Sequence, residues 1–390
     1  MKKYQKKICI ISSGRADYGL LRNLIKRLSK SKKFEYHLSV TGTHLSVKHG
    51  TTIKEILKDR VKVNSRLKTL DDADNDLGIA KAFSSGVVKY SKLFRNYRPN
   101  LIVILGDKFE ILSVAVAATL NKIPIAHIHG GEETIGAIDN VIRHSITKMS
   151  HIHFTSTKQY KNRVLQMGEN PKHVNHVGAL GLEDINNFKF KSKNYFKKKY
   201  NIDFEKKTIL ICFHPVTLES NKTKIYIKKI LSAIKIFKNI NIIFTAPNAD
   251  NGHKQINKEI NTFVKKNKNC YYIKSFGRDD YLSCLKLSSI IIGNSSSGII
   301  EAPSCKTISI NLGNRQKGRI KSKSVIDCEI ETRKIQKVLN KKLNKNVDNI
   351  RDYFYNPYFK KDSSNKILKV LEKTDTEYLI KKSFFDIIKI

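Results

Sequence analysis

At 390 residues, with 40% hydrophobic and 28% charged residues, the chain is long enough to form about two ordinary hydrophobic cores. No apolar run approaches the about 18 residues of a membrane-spanning helix, so we do not expect a membrane protein. The formal net charge is +40, but lysine is spread along the whole chain, which favours a codon bias over a nucleic-acid-binding face.

The first half of the chain alternates short apolar runs with helical patterns. An apolar run of about six residues follows the N-terminal lysines and leads into a patterned domain, so we interpret it as a strand and not as a signal peptide. This alternation predicts a doubly wound parallel sheet. The predicted strands are 7–12, 36–40, 101–105, 123–128, 151–155 and 173–177, and the predicted helices are 18–28, 76–97, 111–120 and 158–167.

A polar stretch rich in lysine and asparagine interrupts this pattern, and we place a linker around 178–200. The alternation then restarts, which predicts a second Rossmann-like sheet. We therefore expect an N-terminal domain at 1–180, a C-terminal domain at 181–373, and a terminal helix at 374–390 that packs back on the first domain. The predicted strands of the second domain are 208–213, 240–245, 271–275, 289–292 and 307–311.

The six cysteines form no CxxC pair, and several lie inside apolar runs. We therefore expect buried, reduced thiols in a cytoplasmic protein.

Proton-transfer groups follow two neighbouring predicted strands of the first domain. In open α/β sheets, ligands bind in the loops beyond the carboxyl ends of the strands. The sequence therefore predicts an active site in this stretch. Its candidate residues are Asp107, His129, Glu132, Asp139, Arg143 and His144.

Two glycine-containing turns are candidate anion sites. Arg15 follows Gly14 at a predicted helix N-terminus, where free amides, the helix dipole and a guanidinium favour a phosphate. The alternative is a solvated loop arginine. Because this turn lacks the GxGxxG spacing, the sequence has no dinucleotide fingerprint and we expect no cofactor.

The second candidate is the turn Gly293-Asn294-Ser295-Ser296-Ser297-Gly298, whose hydroxyls and amides enter a predicted helix. Ordinary N-capping serines are the alternative. Glu301 lies one turn further on and suits ribose hydroxyls. His214 and the loop that contains Arg319 also follow strands, although local backbone contacts could satisfy the histidine.

Two histidine doublets raise the question of a metal, because residues i and i+2 share one face of a strand. They are His127 with His129, and His151 with His153. Alternating residues on buried strands more often pack than chelate, so we predict no metal site.

Six segments together resemble the hydrolysing nucleotide-sugar 2-epimerases, whose type member acts on UDP-N-acetylglucosamine. They are GRADYGLL, GDKFE, HGGEETIGAIDNVIRHSITKMSHIHF, FHPVTLE, GNSSSGIIEAP and GNRQKGR. The resemblance implies two Rossmann-like domains of the glycosyltransferase-B type facing a cleft, a nucleotide-sugar substrate, and a homo-oligomer, either a dimer or a tetramer. It also implies release of N-acetylmannosamine and UDP for sialic-acid-type biosynthesis.

The resemblance also implies roles for single residues. Asp107 and Asp139 would be the acid/base carboxylates, with Arg143 nearby in the substrate site. The nucleotide diphosphate would be bound by Arg15, His214, Ser295, Ser296 and Glu301, and we add Ser297 and Arg319 to this group and count His214 among the catalytic candidates.

One position departs from the sialic-acid branch, where the segment HIHGG has glutamate in place of His129. The second acid/base group therefore stays open among His129, Glu132 and Glu133. HPVTLE and NLGNRQKGR look closer to a branch that acts on UDP- or GDP-linked N,N'-diacetylbacillosamine toward legionaminic acid. A glycosyltransferase of the same fold is the alternative from a different class.

Overall fold

The computed structural model describes residues 5–48, 50–70, 75–135, 138–247, 252–344 and 352–387. The chain forms two compact units. The first contains Met1–Glu132, Asp139–Asp184 and Tyr358–Ile390, and the second contains Glu133–Ile138 and Ile185–Pro357. The crossing at Asp184 lies inside the predicted linker.

The first unit is a seven-stranded parallel sheet in the order β3-β2-β1-β4-β5-β6-β7. Its strands are β1 (Lys6–Ser12), β2 (Phe34–Val40), β3 (Ser65–Arg66), β4 (Leu101–Leu105), β5 (Ile125–Ile128), β6 (Ile152–Thr155) and β7 (Val174–His176). Its helices up to the crossing are α1 (Arg15–Lys30), α2 (Ile53–Lys58), α3 (Asp76–Tyr97), α4 (Phe109–Leu120), α5 (Asp139–Met149) and α6 (Lys158–Gln166).

Strand β4 is apolar throughout, and β1 is apolar from Ile8 to Ile11, because both faces of these strands are covered. In β1, Ile8 and Ile10 belong to the core cluster that contains α1, whereas Cys9 and Ile11 belong to the cluster that contains α3 and α4. Side chains alternate between the two faces of a strand, so a two-sided core requires a continuous apolar run.

The second unit is a six-stranded parallel sheet in the order β10-β9-β8-β11-β12-β13. Its helices are α7 (Lys193–Tyr200), α8 (Thr223–Ile234), α9 (His253–Lys265), α10 (Gly277–Leu287), α11 (Ser297–Ile300) and α12 (Thr332–Leu343). Its strands are β8 (Thr208–Cys212), β9 (Asn241–Thr245), β10 (Cys270–Ile273), β11 (Ile290–Gly293), β12 (Ile308–Leu312) and β13 (Val325–Cys328).

The predicted C-terminal helix at 374–390 is absent from residues 374–387, although this segment belongs to the first unit, as the prediction required. The last helix, α13 (Ser363–Lys373), lies earlier and belongs to the first unit, where Ile367 and Leu371 pack in the core cluster of α1. The return to the first unit occurs at Tyr358, before the predicted boundary. Residues 374–387 form no helix, and 388–390 lie outside the described residues.

Two further features bear on the sequence analysis. All six cysteines are buried free thiols, as expected. Among the described residues, no helix is both long enough and apolar enough to span a membrane.

Candidate active site

In the first unit, the carboxyl ends of β4 and β5 bring the predicted proton-transfer groups to one edge of the sheet. Leu105 of β4 pairs with Ile128 of β5, so Asp107 and His129 follow adjacent strand ends. Asp139 is the first residue of α5 and is partly exposed. The predicted cluster therefore shares the edge at which α/β sheets bind ligands.

Arg143 is buried and joins two of these groups. Its Nη2 donates to Asp107 Oδ2, and its Nη1 donates to the Glu132 carbonyl oxygen at 2.8 Å. The side chain of Arg143 is 2% exposed, whereas that of Asp107 is 24% exposed. These contacts orient Asp107 and the turn after β5, and the role of Arg143 in binding substrate stays a prediction.

The turn that contains His129 has an unusual backbone. His129 and Gly131 have positive φ angles of 68° and 73°, and only Gly131 adopts such an angle without a steric cost. A Cβ at Gly130 would lie 2.9 Å from Thr147 Oγ1, and one at Gly131 would lie 2.7 Å from the Tyr160 carbonyl oxygen. The HGG sequence therefore lets α5 and α6 approach the turn closely.

Two buried contacts, one of them a hydrogen bond, link three side chains beside this turn. His129 Nδ1 lies 3.2 Å from Glu132 Oε1, and Ser156 Oγ donates to the same carboxylate oxygen at 2.6 Å. All three residues are buried. Sequence reasoning missed Ser156, although its place directly after β6 is the signal that identified the other candidates.

The three other histidines of the two doublets have structural contacts, and His151 Nδ1 accepts a hydrogen bond from the Ile125 amide at 3.2 Å. His127 Nε2 lies 2.8 Å from the Gly106 carbonyl oxygen, and burial lowers the pKa of His127 to about 3. His153 Nε2 lies 2.8 Å from Glu169 Oε2. These partners indicate packing roles, because each ring is engaged within the fold.

The candidate phosphate site at α1 contains charges of both signs. Arg15 is partly exposed at the first position of the helix. Asp17 is buried, accepts a hydrogen bond from the Ser13 amide at 3.2 Å, and lies 3.3 Å from Lys108 Nζ. The role of Arg15 as a phosphate ligand stays a prediction.

In the second unit, the Asn294 side chain clasps the loop after β8 to the loop after β11. Its Oδ1 accepts from the His214 amide at 2.7 Å, and its Nδ2 donates to the His214 carbonyl at 2.8 Å. Gly293, with φ +146°, allows this approach, because a Cβ there would lie 2.0 Å from the Cys212 carbonyl oxygen. Asn294 therefore fixes the position of His214.

The clasp extends to the loop after β12. Gln316 Nε2 and Arg315 Nη1 both donate to the Asn294 carbonyl oxygen, at 2.9 Å and 3.1 Å. Sequence reasoning located these loops at strand ends but missed Asn294 and Gln316 as the groups that join them.

The serine turn differs from its prediction in one respect. The turn does enter a helix, but α11 contains only four residues, so the helix is a single turn. Ser295 Oγ accepts from the Ser297 amide at 3.3 Å, and Ser297 Oγ accepts from the Tyr281 hydroxyl at 2.6 Å. The Ser296 side chain makes no capping hydrogen bond. The case for an anion site rests on the hydroxyls and not on the helix.

Glu301 is a partly satisfied carboxyl group beside this turn. Burial raises its pKa, while a hydrogen bond from Ser297 and the positive charges of Arg278 and Arg319 act in the opposite direction. In the part of the chain that the structure describes, Glu301 Oε2 is buried without a hydrogen-bond partner. A ligand hydroxyl group would satisfy it.

The second unit also contains a short segment that follows Glu132 in the chain. Ile135 N–H donates to the Lys317 carbonyl oxygen at 3.2 Å. A Cβ at Gly318 would lie 2.8 Å from Glu133 Cγ. Glu133, one of the candidate second bases, thus packs against the loop that contains Arg319.

Comparison with known proteins gives a consistent result. The family model described as UDP-N-acetylglucosamine 2-epimerase matches residues 26–372. The chain is 39% identical over 387 residues to a Campylobacter jejuni protein named GDP/UDP-N,N'-diacetylbacillosamine 2-epimerase (hydrolyzing), with coverage of 98% of this chain and 100% of the relative. It is 37% identical to polysialic acid biosynthesis protein P7 of Escherichia coli, with 98% of both chains covered.

Solved structures share the fold. The UDP-GlcNAc 2-epimerase of Neisseria meningitidis bound to UDP-GlcNAc superposes with a TM-score of 0.79 at 18% identity, covering 94% of this chain and 100% of that one. The enzyme of Methanocaldococcus jannaschii in complex with UDP-GlcNAc and UDP gives 0.76 at 21% identity, covering 94% and 99%. The predicted α/β fold of two Rossmann-like domains of the glycosyltransferase-B type is confirmed.

Proposed function

Because this chain belongs to the UDP-N-acetylglucosamine 2-epimerase family, we propose that it is a hydrolysing 2-epimerase that releases a free 2-epimeric sugar from a nucleotide-linked 2-acetamido sugar. The observation that carries the proposal is the group of proton-transfer residues at the carboxyl edge of the first sheet. Asp107, His129 and Glu132 follow adjacent strand ends there, and Asp139 begins the next helix.

The chemistry needs two kinds of group. The C2 proton of an acetamido sugar is barely acidic, so its removal must accompany cleavage of the C1–oxygen bond. The C2–H electron pair then forms the C1=C2 double bond of a glycal, and the C1–O pair leaves with the diphosphate. Side chains of the first unit supply the proton transfer.

We assign the leaving diphosphate to the second unit. The serine hydroxyls of the turn after β11, together with Arg315 and Arg319, would stabilise the charge that develops on the diphosphate. Glu301 Oε2, buried without a partner among the described residues, would accept a hydrogen bond from a ribose hydroxyl. Water then adds to C1 while C2 is protonated from the opposite face, and no redox cofactor is required.

Two substrates remain candidates. UDP-N-acetylglucosamine would give N-acetylmannosamine and UDP for sialic-acid-type biosynthesis. UDP- or GDP-linked N,N'-diacetylbacillosamine is the second candidate, favoured by the names of the Campylobacter jejuni relative and of a Legionella pneumophila relative that is 36% identical over 87% of this chain. We also propose a homo-oligomer, and the buried reduced thiols support action in the cytoplasm.

The test is an assay without any acceptor. The purified protein is incubated with each nucleotide sugar in D2O, and the products are followed by proton NMR. We expect a free sugar of inverted configuration at C2, with deuterium at that carbon, together with the nucleoside diphosphate. Release of a sugar without inversion or deuterium, or turnover only after an acceptor is added, would reject the epimerase and favour a glycosyltransferase.

A further inference from the structure

The contacts among the buried side chains of Ser156, Glu132 and His129 fix which groups donate hydrogen bonds and which group accepts them. The Ser156 hydroxyl can only donate to the Glu132 carboxylate, to which it lies 2.6 Å away. His129 Nδ1 lies 3.2 Å from the same oxygen, and an ionised carboxylate at this distance favours a proton on Nδ1 over a lone pair. In a neutral imidazole, a proton on Nδ1 leaves the lone pair on Nε2.

The backbone around His129 is held in place from several sides. The His129 amide donates to the Phe154 carbonyl of β6 at 2.8 Å. The Gly131 and Glu132 carbonyl oxygens accept from Arg163 and Arg143, each at 2.8 Å. A non-glycine residue with a φ of +68° is strained, so it keeps this backbone conformation only where surrounding contacts hold it there. Such residues concentrate at functional sites.

We propose that His129 Nε2 is the atom that removes the C2 proton, and that Glu132 and Ser156 are positioning residues which fix the tautomer and orientation of His129. The inference rests on the proposed epimerase function. It resolves the choice among His129, Glu132 and Glu133 in favour of the imidazole.

The proton-transfer step balances with these groups alone. His129 Nε2 takes the C2 proton, the C2–H pair becomes the C1=C2 bond, and the C1–O pair leaves with the diphosphate. The imidazolium that forms is stabilised by the Glu132 carboxylate through Nδ1–H. Proton return to C2 occurs from the opposite face and belongs to another group, and His129 passes its proton to solvent.

Titratable and charged groups on the neighbouring strands and helices set the background for the titration of His129. Their effects are common to all variants, so differences between variants report on the Glu132 contact. These groups are His127 on β5, His153 on β6, Asp107 after β4, Arg143 on α5 and Arg163 on α6.

The first experiment needs no substrate. Protein labelled with 15N-histidine is titrated by NMR, and the His129→Gln variant identifies the His129 signal. We expect neutral His129 to carry its proton on Nδ1. In Glu132→Gln, the loss of the carboxylate destabilises the imidazolium, so the His129 pKa should fall by about one unit or more. A proton on Nε2, or an unmoved pKa in Glu132→Gln, overturns the proposal.

The chain offers a matched control for this titration. Glu169 forms a second buried glutamate–histidine pair in the first unit, with His153 at 2.8 Å. Glu169→Gln removes the same kind of charge from a pair outside the site, and we expect the His129 signal to titrate as in the wild type. An equal shift in Glu169→Gln would mean a general electrostatic effect and would also overturn the proposal.

The second experiment separates the roles kinetically. His129→Gln should lower kcat by about 10²–10⁴-fold, the usual worth of a general base. Glu132→Gln should keep measurable turnover, with the acidic limb of the kcat/KM profile moved to lower pH by about one unit. If Glu132→Gln is as inactive as His129→Gln, Glu132 transfers the proton itself and the proposal fails.

Ser156→Ala tests the contact between Ser156 and Glu132, the one more distant from the imidazole. We expect kcat to fall by about tenfold with KM unchanged, since a hydrogen bond to a charged group is lost. Ser150→Ala is the control, because Ser150 is equally buried and its hydroxyl donates to the Ile146 carbonyl at 2.7 Å. Equal losses in both variants would show a purely structural effect and count against the proposal. Wild-type protein that releases no sugar would refute the proposed function, while the NMR titration would still decide the tautomer.

Discussion

The Asn294 clasp gives a sharp test of how the second unit binds a nucleotide. Asn294 is fully buried, and its amide holds both backbone groups of His214. Asn294→Ala removes both hydrogen bonds but leaves the backbone carbonyl that Gln316 and Arg315 contact. The loop after β8 thus loses its connection to the loop after β11, while the chain path of each loop is otherwise unchanged.

The size of the effect follows from the two lost bonds. Each is worth about 0.5–1.5 kcal/mol, so the arrangement of the loops loses about 1–3 kcal/mol. If that arrangement is the one that binds a nucleoside diphosphate, the dissociation constant of UDP should rise by about 5- to 150-fold, at about tenfold for each 1.4 kcal/mol.

Titration calorimetry with UDP measures this change, and Asn269→Ala is the matched control. Asn269 also donates two hydrogen bonds to backbone carbonyls, those of Phe237 and Ile240, at 2.9 Å and 2.7 Å. It lies immediately before β10, at the end of the sheet opposite the candidate site. Asn269→Ala should lower the thermal stability without changing UDP affinity. Unchanged UDP affinity in Asn294→Ala, or equal losses in both variants, would refute the reasoning.

Three further predictions address other parts of the molecule. Asp107→Asn should lower sugar release by more than about 10²-fold while UDP affinity stays within a few-fold, and retention of a tenth of wild-type turnover would contradict an acid/base role. Ser296→Ala should raise KM for the nucleotide sugar and weaken UDP inhibition in parallel, whereas unchanged UDP inhibition with lowered turnover would place Ser296 at the sugar. Burial holds the pKa of His127 at about 3, so below the ordinary histidine pKa the unfolded chain binds a proton that the folded chain does not. The free energy of unfolding should therefore fall by about 2 kcal/mol more in the wild type than in His127→Gln between about pH 7.5 and about pH 5, and parallel urea titrations would disprove this.

The sheets could be predicted because their central strands are buried on both faces. The run Leu101–Leu105 matches its predicted bounds for this reason. The strands that were missed, β3 and β13, lie at sheet edges and are only partly buried, so their sequences lack a continuous apolar run. A strand that is buried on both faces has a continuous apolar run that can be recognised in the sequence, whereas a partly exposed edge strand has no such run.

The structure of the C-terminal segment could not be predicted for a different reason. Its position depends on single contacts: Lys382 Nζ donates to the Ser150 carbonyl at 2.7 Å, and the Phe384 ring occupies the space beside Gly168 where a Cβ would be. Such contacts have no periodicity. A helical pattern read from this segment therefore carries no information about where the segment packs.

The candidate site shows the same division. Residues such as Asp107 and His129 could be found because they follow apolar strands, and sequence order alone places them at one edge. The buried orientation of the Arg143 side chain could not be predicted from the sequence. It depends on two partners from different segments of the chain, the Asp107 carboxylate and the Glu132 carbonyl, which both accept hydrogen bonds from its guanidinium. The same holds for Asn294, whose partner His214 is far away in sequence.

Both units hold strand-end loops partly by arginine contacts to backbone carbonyls, but the group that contacts the histidine differs, and this difference suits the chemistry proposed for each unit. Around His129, the turn is held by arginine contacts to backbone carbonyls and by a carboxylate on the ring, so the local charge that tunes the imidazole is built into the fold. Around His214, the clasp is a neutral amide, which adds no negative charge beside a site for a diphosphate. An aspartate would keep the amide's shape but repel such an anion, so Asn294→Asp should weaken UDP binding more than Asn294→Ala. If the two variants bound UDP equally, the neutrality of the clasp would have no bearing on binding.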